Sequence, residues 1–177
     1  MIKGLVYIPN YISVENEAYM LKTADEAVWD TTLKRRTQHY GWRYDYKARK
    51  VTQEMKLGAL PHFVSRIAKS VVWNGLAMQE PDQAILNEYQ VGQGIGFHID
   101  CEPCFGDKIF SLSLGSSAVM NFKRGDTKRS ILLEPRSLLM MYGDARHLWQ
   151  HSIPSRKSDN GIARTRRVSV TLRTVTV

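Results

Sequence analysis

The stretch that most restricts how this chain can fold is residues 83–104, QAILNEYQVGQGIGFHIDCEPC. It reads as a β-strand, a glycine-rich turn and a second short strand. His98 and Asp100 are two apart, so on an extended backbone both project from one face. An imidazole and a carboxylate on one face are two corners of the 2-His-1-carboxylate site that holds non-haem iron. The third corner must be a histidine from a distant strand, and the candidate is His151, in GDARHLWQHSIP. His147, four residues earlier, is its rival. His-x-Asp alone is a weak signal, more often a surface hydrogen-bonding pair than a metal site, so the rest of the chain has to decide.

The back half is rich in strand patterns. Segments 84–91, 109–114, 118–123, 130–134, 137–142 and 166–175 are apolar or alternating, with Gly, Pro or Asp near their ends. The front half is different. Residues 3–8 suit a first strand stopped by Pro9. Ser13 suits the cap of a helix running to about Trp29, with Glu15 and Glu17 in its first turn and a stripe of Leu21, Ala24 and Val28. A second helix is expected over 61–75, burying Phe63, Ile67, Val71 and Val72. Helices followed by strands imply an α+β fold, a sheet sandwich or barrel with helices on one side. The 177 residues suffice for one domain, expected to span 1–177.

No apolar run reaches the length of a membrane span, and the N-terminus lacks a signal-peptide cleavage pattern. The expectation is therefore an intracellular monomer, cytoplasmic or in the nucleoid or nucleus, with no membrane partner. Cys101 and Cys104 have C-x-x-C spacing, but no second cysteine pair completes a zinc site. They are expected as two reduced thiols near the mouth of the site. Lys plus Arg total 25 against 17 for Asp plus Glu, a net charge of +8 that favours a polyanionic partner, nucleic acid first.

Within 33–50, LKRRTQHYGWRYDYKARK, basic residues alternate with aromatic ones. Cations suit phosphates and flat rings suit bases, so the stretch is a candidate nucleic-acid surface. An amphipathic hairpin with its rings in the core explains it equally well. The last strand, RRVSVTLRTVTV, places Val168, Val170 and Leu172 on one face and Arg167, Ser169, Thr171 and Arg173 on the other. Guanidinium forks on a small polar face suit carboxylates. Asn87 and Tyr89, also two apart, offer an amide and a phenol.

Taken together, Asn87-x-Tyr89, His98-x-Asp100, His151 and Arg167 followed by Arg173 resemble the signature of the AlkB family of Fe(II)- and 2-oxoglutarate-dependent dioxygenases. SLSLGS at 111–116, the strand Leu138–Tyr142 with Gly143, and Leu148-Trp149-Gln150-His151 add to the likeness, which covers about residues 35–175. The resemblance implies a double-stranded β-helix (jelly roll), with the N-terminal helices on one face and a nucleotide-recognition lid over 33–50. It implies Fe(II) on His98, Asp100 and His151. It implies 2-oxoglutarate on Asn87, Tyr89, Arg167, Ser169 and Arg173, with Arg167 at the distal carboxylate. Arg35, Arg36, Trp42, Tyr44 and Tyr46 would face the substrate, Tyr46 being favoured as the ring that stacks on the base.

The implied reaction is oxidative demethylation of 1-methyladenine or 3-methylcytosine in DNA or RNA, single- or double-stranded. The hydroxylated methyl group leaves as formaldehyde, and a duplex base must first be flipped out. Glu102, two beyond Asp100, is expected to face the same side as His98 and Asp100. There it would accept a hydrogen bond from the exocyclic amine of the alkylated base and balance its positive charge. Hydroxylation of a side chain on wobble uridine in tRNA is the second expectation. A nucleic-acid-binding module with an inert metal site is the third.

Overall fold

The computed structural model describes residues 1–177. The chain runs β1 (Leu5–Ile8), α1 (Val14–Glu26), β2 (Thr37–Tyr40), α2 (His62–Trp73), β3 (Gln83–Tyr89), β4 (Ile95–His98) and β5 (Ile109–Gly115). It continues through β6 (Ala118–Arg124), β7 (Thr127–Leu133), β8 (Leu138–Met141), the short α3 (Gly143–His147) and β9 (Gln150–Ile153). The two-residue strands β10 (Ser158–Asp159) and β11 (Ile162–Ala163) then lead to β12 (Arg167–Arg173).

Two antiparallel sheets result, one of order β1-β8-β5-β12-β3-β2 and one of order β4-β9-β6-β7. From β3 onward the chain repeatedly crosses between them, which makes a double-stranded β-helix. No helix is long and apolar enough to cross a membrane.

Period-two alternation explains how the large sheet serves two cores. Ala84 and Leu86 of β3, Phe110, Leu112 and Leu114 of β5, and Val168, Val170 and Leu172 of β12 pack against Met20 and Ala24 of α1 and Phe63, Val64, Ile67, Ala68 and Val71 of α2. The opposite face of the same strands carries Ile85, Asn87, Tyr89, Ser111, Arg167, Ser169, Thr171 and Arg173, which line a cavity between the sheets. Every residue of β3 and of β12 is buried. Much of that inner face is small and polar, so apolar side chains do not fill the space there.

Ser13 caps α1, its Oγ accepting from the Asn16 N–H at 3.2 Å. The helix ends at Glu26, not near Trp29, and Val28 lies beyond it, 92% exposed rather than in the buried stripe. Glu17 is no solvated first-turn acid. It turns inward, accepting from the Gly115 N–H at 2.8 Å and pairing with Arg136 at 3.2 Å.

The basic–aromatic stretch does not form a single lid either. Thr37–Tyr40 is β2, which takes the edge of the large sheet by pairing with β3, and the chain loops away only after it. Cys101 and Cys104 are joined in a disulfide, contrary to the expected free thiols. The tight turn in which Cys104 N–H and Phe105 N–H both donate to the Cys101 carbonyl brings their Cα atoms to 5.3 Å.

One close approach fixes the small sheet. A Cβ on Gly94 would sit 2.2 Å from the Ile153 carbonyl oxygen and 2.8 Å from Pro154 C, both backbone atoms. Gly94 immediately precedes β4, whose His98 pairs with His151 on β9. We therefore expect Gly94→Ala to push β4 off β9, lowering the melting temperature and weakening divalent-metal binding. Gly96→Ala, whose new Cβ meets nothing within 4 Å, should change neither. Melting curves and metal titrations of the two variants check this, and equal behaviour of the pair would refute it.

Candidate metal centre

His98, Asp100 and His151 each present one ligand atom, and these atoms lie within 4.8 Å of one another. The ladder pairing of β4 with β9 sets the two histidines opposite each other, their ring centroids 4.3 Å apart. Asp100 follows just beyond β4. Its Oδ1 lies 3.5 Å from His98 Nε2 and 3.9 Å from His151 Nε2. His98 Nδ1 lies 2.9 Å from the Gly96 carbonyl, which places the proton on Nδ1 and leaves Nε2 as the lone-pair donor.

His147 does not compete for this position. It turns outward, with Nδ1 2.7 Å from Glu102 and Nε2 3.6 Å from Asp107.

Charge is arranged to match. Burial alone would raise the Asp100 pKa, but Arg173, with the two histidines beside it, holds it well below the usual carboxylate range. Arg173 Nε donates to Asp100 Oδ2 at 2.8 Å, which leaves Oδ1 turned toward the histidines. Burial, reinforced by His98, pushes His151 down to about 3, so it is a neutral ligand at neutral pH.

The cavity beside these ligands has a volume of about 360 Å³. At its deep end Arg167 is fully enclosed. Its Nη2 donates to Ser113 Oγ at 2.9 Å and its guanidinium lies 5.5 Å from the centroid of the Tyr89 ring. Its Nε is buried with no partner. An unsatisfied charged donor that is itself buried carries a large penalty unless an acceptor arrives. A 2-oxo dicarboxylic acid supplies that acceptor, so the donor set fits iron with 2-oxoglutarate.

Several predicted substrate residues are placed elsewhere. Trp42 is buried in the core and donates from its indole N–H to Asp82 at 3.1 Å, so it cannot stack on a base. Arg36 is committed to the buried Glu88, which also accepts from Arg166 at 2.6 Å. Glu102 does not line the cavity, because the disulfide-bonded turn rotates it out to His147. Arg35, Tyr44 and Tyr46 do line it, Arg35 stacking over Tyr46 at 5.4 Å and donating to Asn87 Oδ1 at 3.0 Å. Ser169 lies on the same wall.

Residue-by-residue reading missed Arg146. It is buried beneath the site and donates to the carbonyls of Asp100 at 2.9 Å and Cys101 at 3.2 Å, bracing the turn that carries the carboxylate. An arginine in a five-residue helix carries no pattern that could have flagged it. The sequence pattern did not single out Phe97, and it placed Arg49 only within the basic–aromatic stretch 33–50; both line the cavity.

Two histidines on paired strands with a carboxylate beside them, inside a double-stranded β-helix, match the architecture of a non-haem iron oxygenase. The family model described as "2OG-Fe(II) oxygenase superfamily" matches residues 29–173. An Arabidopsis thaliana protein described as "Alkylated DNA repair protein ALKBH8 homolog" is 38% identical over 98% of this chain and 59% of its own length. The Xenopus tropicalis tRNA (carboxymethyluridine(34)-5-O)-methyltransferase alkbh8 is 39% identical over 88% of this chain and 26% of its own length. The solved structure of OsALKBH1 superposes with a TM-score of 0.75 at 18% identity, covering 97% of this chain and 96% of that one. The chain belongs to the AlkB family of Fe(II)- and 2-oxoglutarate-dependent dioxygenases, and it spans 59% and 26% of the two curated relatives just described.

Two histidines withdrawn from solvent, one buried and one half-buried, have a measurable consequence. His151 is held at about 3, and His39, half-buried and near the Arg43 charge, at about 4. Both lie below the unfolded value of about 6.5, so the unfolded chain takes up protons first as pH falls. Stability of the metal-free protein should therefore be fully present above about pH 6.5 and fall steadily toward pH 4. The slope approaches about 1.4 kcal/mol per pH unit for each group. Urea unfolding between pH 4 and 8 reads it, and a flat profile would contradict the two neutral histidines.

Proposed function

We propose that this enzyme oxidises a nucleic acid, and specifically that it hydroxylates the substituent at C5 of a wobble uridine in tRNA. His98, Asp100 and His151 hold Fe(II), and Arg167 binds the distal carboxylate of 2-oxoglutarate with Ser169, Asn87 and Tyr89 around it. Arg173 serves that co-substrate indirectly, by orienting Asp100. Tyr44 and Tyr46 offer faces to the uracil ring. The bound iron and co-substrate supply the oxidising power by which one oxygen atom of O2 enters a C–H bond and the other enters succinate, with release of CO2. The chain itself binds, orients and excludes water. The apolar wall of Ile85, Ile95, Phe105, Met120 and Ile153 does the last.

The charge of the cavity carries this reading over base demethylation. Its charged lining is Arg35, Arg49, Arg167 and Arg173 with Asp100, and Glu102 faces away. Asp100 is already paired with Arg173, so no carboxylate remains to balance a cationic 1-methyladenine or 3-methylcytosine. A neutral or anionic uridine side chain meets no such penalty, and the name of the Xenopus relative concerns carboxymethyluridine at position 34.

The test is a panel of substrates incubated with the iron-loaded protein, 2-oxoglutarate and air. One arm is tRNA bearing carboxymethyluridine or its methyl ester at position 34, and the other is DNA and RNA bearing 1-methyladenine or 3-methylcytosine. We expect mass spectrometry to find one added oxygen on the wobble nucleoside. Formaldehyde released from the alkylated bases, with the tRNA unchanged, would return demethylation to the front.

A further inference from the structure

Phe97 is the one aromatic side chain lining the cavity that the candidate chemistry leaves without a task. It sits on β4 beside His98, is 43% exposed, and packs into neither of the two apolar cores. Single exposed apolar residues are common on protein surfaces. What singles this one out is its place at the rim, where one end of the ring meets the cavity and the other meets solvent.

Two neighbours strengthen the point. Gly96 also lines the cavity, and a side chain there would meet nothing within 4 Å, so β4 is not crowded next to Phe97. Arg49 donates to the carbonyl of Ile99, two residues beyond Phe97, at 3.3 Å. No carboxylate neutralises it, whereas Arg36, Arg43, Arg124, Arg136, Arg156, Arg164, Arg166 and Arg173 all have acidic partners. A flat exposed ring with a guanidinium nearby that no carboxylate neutralises is a pairing suited to a single nucleic-acid strand: the ring stacks on a base and the cation meets the phosphate.

We propose that Phe97 is a stacking platform for an unpaired base next to the target nucleotide, with Arg49 on the phosphate that joins the two. The proposal rests on the nucleic-acid reading above. It assigns the rim of β4 to the neighbour, while Tyr44 and Tyr46 on the other wall face the target. Residues on β4 would then set how strongly the enzyme depends on the strand around its target as well as on the target itself.

The experiment measures binding by fluorescence anisotropy, with iron-loaded protein kept free of dioxygen. Three single-stranded RNA oligonucleotides carry the modified uridine: one intact, one abasic on its 5′ side, one abasic on its 3′ side. Wild type should bind one abasic strand roughly tenfold more weakly than the intact strand. Phe97→Ala should show that same loss on the intact strand and no further loss on that abasic strand. Phe97→Leu, which keeps an apolar side chain at the same rim position but has no flat ring, should behave like Phe97→Ala, and Phe97→Tyr like wild type. Equal losses by Phe97→Leu on all three strands, or no loss on any, would overturn the platform. Failure of wild type to bind any strand would instead overturn the nucleic-acid reading, and the platform with it.

Discussion

The buried ion pair between Arg173 and Asp100, 2.8 Å long, is the contact on which the site depends. A buried carboxylate beside two histidines is costly to ionise, and burial alone would favour its protonated form. Arg173 reverses that preference and occupies Oδ2, so that Oδ1 is the atom turned toward His98 and His151. The pair also joins the two sheets. Arg173 ends β12 in the middle of the large sheet, and Asp100 follows β4 at the edge of the small one. Arg146 reinforces the arrangement from below through the Asp100 carbonyl.

The same strands must keep the cavity open. On β12 the sequence does this by alternation alone: Val168, Val170 and Leu172 pack on the helices, while Arg167, Ser169, Thr171 and Arg173 face inward. The inner face gives up apolar burial and leaves the Nε of Arg167 and the Nε2 of Gln83 without partners. Stability is recovered on the other face, where α1 and α2 bury a continuous apolar layer. Such a division accounts for a small chain that holds charged groups at its centre.

Most of the fold was legible because its signals are periodic. The strands of the back half, the Ser13 cap and the two faces of β12 follow from patterns of two and of three or four residues. The candidate ligands His98, Asp100 and His151 were legible because extended backbone fixes the direction of every second side chain. Glu102 was misread for the same reason. The extended backbone stops after Asp100, and the turn closed by Cys101 and Cys104 rotates Glu102 away. Trp42 and Arg36 were misread because a ring or a cation in a basic–aromatic stretch looks the same whether it faces solvent or pairs with Asp82 or Glu88. Long-range partners of that kind leave no trace in local spacing.

The central claim is that His98, Asp100 and His151 together hold one divalent metal ion, with Asp100 set by Arg173. Titration of the metal-free protein with Co(II), followed by visible absorbance and calorimetry, tests it most directly. The account predicts one ion per chain for wild type and for His147→Ala, and no specific binding for Asp100→Ala or His151→Ala. Retention of the ion by His151→Ala, together with its loss from His147→Ala, would contradict it.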